Sequence, residues 1–108
     1  MSSIINRRSF ERVSVRLSAR LLYNNTPYPG VVMNLSEKGM FISTRLRVPE
    51  GSVIEVDMPL GNKVLIGPFR VKRQVESGEF KDYSENNGLA CETINRSSCF
   101  DEYISSLK

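Results

Sequence analysis

This chain has no histidine and no tryptophan, and it has only two cysteines, Cys91 and Cys99. Without imidazole there is no histidine general acid or base and no histidine-liganded zinc. The two cysteines lack the paired spacing of a metal site, and as intracellular thiols they read as free rather than disulfide-bonded or nucleophilic. No metal and no cofactor are expected. A Walker-type phosphate loop is also missing, and no spacing of carboxylates singles out a general acid and base, so the chain reads as a binding module rather than an enzyme. Apolar runs are short, residues 64–66 being typical, against the roughly 20 residues that a membrane-spanning helix requires. No membrane span is expected. Met1 is not followed by a basic start, an apolar core and a small-residue cleavage site, so the expected location is the cytoplasm.

What is present suits one small domain. The 108 residues, 40% of them hydrophobic, fall in the size range of a single core that buries about two-thirds of the unfolded surface. The net charge is +3, but it is unevenly placed. Arg7, Arg8, Arg12, Arg16 and Arg20 against Glu11 give the first twenty residues +4, which leaves −1 for the remainder. Positive potential at one end fits an anion site, without the broad basic face that polynucleotide binding needs. The plain alternative is a solvated arginine face on a strand.

The pattern of the chain is that of β structure. Val13, Val15, Leu17, Ala19 and Leu21 alternate with Ser14, Arg16, Ser18 and Arg20, the period of a half-buried strand. Arg12, Arg16 and Arg20 then share the outward face, while Arg7 and Arg8 precede the strand. A turn at 24–27 returns the chain as a strand over 28–33 that ends at the polar segment 34–39. Further strands are expected at 40–44, 52–58, 63–66, 69–76 and 89–94, separated by turns at 49–51 and 59–62 and by a polar loop at 77–87. Arg73 falls on the face of Phe69, Val71 and Val75, where an inward arginine is costly unless paired; it marks a barrel rim, a salt bridge or the far wall of a ligand site. Phe100, Tyr103, Ile104 and Leu107 lie at helical spacing, with Ser97-Ser98 as a cap and Asp101-Glu102 in the first turn, so an amphipathic helix closes one end of a small antiparallel barrel.

Two segments carry chemistry. Arg8-Ser9-Phe10-Glu11-Arg12 has the spacing RxxxR, and arginine's planar fork grips phosphate bidentately and stacks on flat rings. Asn34-Leu35-Ser36-Glu37-Lys38-Gly39 has the spacing NxSxxG: an amide that donates and accepts, a rotatable hydroxyl, and a glycine that allows close approach. In this order the two resemble the PilZ domain, a family of bacterial receptors for cyclic di-GMP. The likeness continues through Gly88-Leu89-Ala90-Cys91-Glu92, similar to the family's late strand, and through the terminal amphipathic segment, similar to its closing helix.

The resemblance implies a mainly β fold, a six-stranded antiparallel barrel (PilZ-like) with a C-terminal helix at about 98–107. Residues 1–12 are then a flexible basic segment and residues 13–108 a single barrel domain. It implies a ligand site of Arg7, Arg8, Arg12, Asn34, Ser36 and Gly39, with the arginines on phosphate and guanine and the polar turn around a guanine edge. Asn34 stands where many members have aspartate, which weakens its grip on guanine N–H donors. Arg7 occupies the place that influences ligand number in this family, so cyclic di-GMP is expected as an intercalated dimer. The implied function is a cyclic di-GMP receptor that orders its arginine segment over the ligand and signals to a downstream protein the sequence does not identify. The competing readings are a ligand-independent docking scaffold of the same fold and an oligonucleotide-binding barrel. The latter lacks interleaved basic and aromatic residues, so no nucleic-acid partner is expected.

Overall fold

The computed structural model describes residues 12–75, 87–95 and 98–107. Six strands and one helix follow in order: β1 Val13–Tyr23, β2 Thr26–Ser36, β3 Gly39–Ser43, β4 Val53–Leu60, β5 Lys63–Val75, β6 Gly88–Thr93 and α1 Ser98–Leu107. The strands close into an antiparallel barrel in the order β1-β2-β3-β6-β5-β4. This is the architecture anticipated from the sequence.

Local chemistry sets the hairpins. Asn24 and Asn25 join β1 to β2 with φ of 51° and 62°, a left-handed pair that asparagine tolerates better than most residues and that matches the twist of the flanking strands. β4 and β5 are joined tightly through Gly61-Asn62. The expected break between strands at 63–66 and 69–76 does not occur. β5 runs unbroken through Gly67 and Pro68, both of which pair with β4. Pairing with β6 begins only at Phe69, so the missing N–H of Pro68 costs no hydrogen bond on that side.

The inward residues of all six strands meet in one core. Leu21, Val32, Leu35, Ile42, Val56, Met58, Val71 and Leu89 are fully buried there. The connection from β3 to β4 also enters the core. Leu46 and Val48 are buried, and the segment is tied down by polar groups: Thr44 Oγ1 donates to Pro29 O at 2.9 Å, and Val48 N donates to Gln74 Oε1 at 2.6 Å. α1 closes one end as its apolar spacing predicts. Phe100 and Ile104 are buried, and Phe100 meets Phe69 edge to face with ring centroids 6.1 Å apart.

Cys91 is a buried free thiol on the inner face of β6. Burial pushes it up to about 12 from the ordinary 9.0, because a thiolate there would lose its hydration. The Cys99 side chain, residues 77–86 of the loop expected at 77–87 and the Ser97 cap lie outside the described residues.

Candidate functional site

The outer wall of the barrel carries a cavity of about 520 Å³ where β2, β3, β6 and β5 lie side by side. Arg12, Asn34, Ser36 and Gly39 all line it. Arg7 and Arg8 lie outside the described residues. Four of the six expected site residues are thus brought to one place.

Asn34 and Ser36 are not in a loop, as the polar segment suggested. They end β2, Gly39 starts β3, and the hairpin turn is only Glu37 and Lys38. Strict alternation after buried Val32 would turn Asn34 inward. A β-bulge prevents this, because β2 carries one extra residue between its pairs Val32↔Ile42 and Asn34↔Phe41. The extra residue, Met33, shifts the phase, so Leu35 points into the core and Asn34 faces the cavity. β1 shifts register at the same level, between Ser14 and Leu17. Bulges commonly re-aim a side chain beside a functional surface in this way.

The same device overturns the inward placement of Arg73. β5 has an extra residue, Lys72, between Val71↔Cys91 and Arg73↔Ala90. Lys72 and Arg73 are therefore both exposed, and both line the cavity. Arg73 lines this cavity on β5, three strands from Asn34. Lys72 and Phe41 were not among the expected site residues, and Ala90 stood out only as part of the late-strand segment, because what brings them here is pairing between strands far apart in the chain.

Register orders the surface into rows. Asn34, Phe41, Ala90 and Arg73 are successive partners across four strands. Ser36, Gly39, Glu92 and Arg70 form the next row. Phe41 and Ala90 thus give the cavity an apolar floor with polar groups on either side. Among the described residues four cationic side chains line it, Arg12, Lys38, Lys72 and Arg73, against the single carboxylate of Glu92. That balance attracts an anion.

Individual contacts fix Arg12 and the NxSxxG segment. Arg12 Nη1 donates to Asn34 Oδ1 at 3.4 Å, joining the end of RxxxR to the start of NxSxxG across the β1–β2 pair. The second lone pair of that amide oxygen remains open to a donor. Ser36 Oγ accepts from Lys38 N at 3.2 Å, which holds the turn. Gly39 is required by packing: a Cβ there would fall on the carbonyl oxygen of Cys91 and lie 2.9 Å from Glu92 Cα. Arg20, by contrast, faces away from the cavity and pairs with Asp57 at 3.5 Å across the β1–β4 seam. Among the described residues no cluster of acidic, cysteine or histidine side chains could hold a metal ion, and no helix is long and apolar enough to cross a membrane.

A family model described as the PilZ domain matches residues 6–105. The chain belongs to the PilZ domain family. Solved structures share the fold. The PilZ domain with c-di-GMP of YcgR from Escherichia coli is 19% identical, with a TM-score of 0.70 over 94% of this chain and 92% of that one. The Bacillus subtilis inhibitor of motility, MotI/DgrA, is 14% identical with a TM-score of 0.77, covering 95% of this chain. The present chain spans 50% of that protein's length. The PilZ domain of CeSA from a cellulose-synthesizing bacterium is 16% identical, with a TM-score of 0.61 over 90% of this chain and 94% of the other. No curated protein matches. PilZ is a family of c-di-GMP-binding domains, receptors rather than enzymes.

Proposed function

We propose that this PilZ domain binds cyclic di-GMP on the outer wall of its barrel. The observation that carries the reading is the Arg12–Asn34 hydrogen bond of 3.4 Å at the cavity, which sets the last arginine of RxxxR beside NxSxxG at one cationic, apolar-floored surface. In this reading Arg8 and Arg12 grip phosphate and stack on guanine, while Asn34, Ser36 and Gly39 surround a guanine edge. Arg7 adds a third guanidinium and favours two intercalated ligand molecules. The ligand draws the arginine segment over the barrel by neutralising its charge, and the covered surface is what a downstream protein in the cytoplasm recognises.

Titration calorimetry with cyclic di-GMP, beside Arg8→Ala and with GTP and cyclic GMP as controls, tests this directly. Selective binding that falls about ten- to a hundredfold in Arg8→Ala is expected, since hydrogen bonds to charged groups are worth roughly 1.5–3 kcal/mol each. A stoichiometry of two ligands per chain supports the intercalated pair, and one ligand per chain rejects it. Absence of binding by calorimetry and by a second method rejects the receptor reading in favour of a docking scaffold.

A further inference from the structure

β5 brings two cations to the cavity, and their surroundings differ. Lys72 Nζ lies 3.8 Å from one Glu92 oxygen, and Arg70 Nε lies 4.0 Å from the other. Lys72 is therefore partly neutralised. Arg73 is exposed on the cavity wall and makes no hydrogen bond or ion pair with a described residue. Its guanidinium is available to a ligand.

The row Asn34–Phe41–Ala90–Arg73 says what kind of ligand group it meets. Neighbouring strands are roughly 4.8 Å apart, so three intervals separate the Asn34 and Arg73 backbones by about 14 Å. Between them lie a half-buried aromatic ring and a methyl group, a floor on which a planar base rests by stacking. A purine on that floor turns one edge to Asn34 and the opposite edge to Arg73. Asn34 offers a carbonyl oxygen to N–H donors. Arginine's fork matches the O6 and N7 acceptors of guanine, whereas adenine would set its amino group against the guanidinium, donor against donor.

We infer that Arg73 reads the O6/N7 edge of a guanine laid over Phe41 and Ala90, opposite Asn34. The inference rests on the cyclic di-GMP reading and adds to it a residue, outside both sequence motifs, that selects guanine.

The test is a cycle between a side chain and a ligand atom. The full chain and Arg73→Ala are titrated calorimetrically with cyclic di-GMP and with its 7-deazaguanine analogue, in which C–H replaces N7. Arg73→Ala is expected to weaken cyclic di-GMP about tenfold or more, as loss of a charge-assisted pair does. The analogue is expected to bind the unmodified protein about fivefold or more weakly than cyclic di-GMP, yet to bind Arg73→Ala equally well, because the group that senses N7 is gone. Lys63→Ala removes the same charge roughly 30 Å along β5 and controls for long-range attraction, with an expected change within about twofold. An undiminished analogue penalty in Arg73→Ala overturns the inference and assigns the arginine to phosphate. Unchanged affinity in Arg73→Ala overturns it too, while leaving the receptor reading standing. An unmodified protein that binds neither ligand overturns both.

Discussion

Replacing Gly39 with alanine separates a glycine needed by the ligand from one needed by the barrel. The added Cβ would land on the Cys91 carbonyl oxygen, 2.9 Å from Glu92 Cα and 3.0 Å from the Cys91 carbonyl carbon. All three are backbone atoms of β6, so no side chain can swing aside. β3 and β6 must part locally by about an ångström to restore ordinary contact. That movement strains the Gly39↔Glu92 rung. It also strains the two bonds that Thr93 makes to Lys38 O, from its amide at 2.8 Å and its hydroxyl at 3.3 Å. Two or three hydrogen bonds at roughly 0.5–1.5 kcal/mol each give a loss of about 2–3 kcal/mol. In a domain of this size that lowers Tm by roughly 10–20 °C. Thermal unfolding followed by circular dichroism, in the absence of any nucleotide, is the assay. Gly88→Ala is the companion: its Cβ would meet the Ile42 carbonyl at the other end of the same ladder, so a comparable loss is expected away from the Ser36–Gly39 turn. A Gly39→Ala protein that melts with the unmodified chain refutes the packing argument and leaves Gly39 a role in ligand approach alone.

Arg12→Ala should weaken cyclic di-GMP about ten- to a hundredfold, whereas Arg16→Ala, outside the cavity lining, should stay within a few-fold by the same titration; a large loss at Arg16 would redraw the site. Phe100→Ala removes the buried ring that meets Phe69 and should cost about 3–5 kcal/mol in urea denaturation, with less than about 1 kcal/mol refuting the view that α1 plugs the barrel. The Cys91 thiol, held up to about 12, should react with a disulfide reagent at pH 8 only as fast as the protein unfolds, and faster labelling would show that it is accessible. Because the folded chain keeps that proton above the thiol's ordinary 9.0, its contribution to stability is complete below about pH 9. It is lost as pH rises towards 12, and a Cys91→Ala chain should lack that part of the alkaline slope in denaturant titrations.

Much of the fold was legible because its signals are local. The alternation of 13–21 is the alternation of β1, and Phe100 and Ile104 enter the core as their spacing predicts. Segment 34–39 announced its chemistry but not its geometry, since a bulge adds a residue without any distinctive residue type. Met33 in β2 and Lys72 in β5 invert the inside-outside phase after them, which is why Arg73 read as inward from sequence. The same limit applies to Leu46 and Val48, which are buried in a segment that a hydrogen bond from Val48 N ties to the distant Gln74. Phe41, Ala90 and Glu92 joined the site only when long-range pairing set β3 beside β6.

The barrel seam bears on how Arg12 is held. Among the described residues β1 pairs with β4 only through Arg20, Leu21 and Leu22, while its register with β2 runs from Val13 to Tyr23. The stretch from Val13 to Ala19 lays Val13, Val15, Leu17 and Ala19 against the core but is joined by strand register to β2 and not to β4, and Arg12 sits at its tip. If the proposed ligand binds, a pull on Arg12 would be borne by this singly paired stretch, while Val32 and Leu35 stay fixed in the core. Amide exchange should be quickest along this stretch and should slow there first when the site fills.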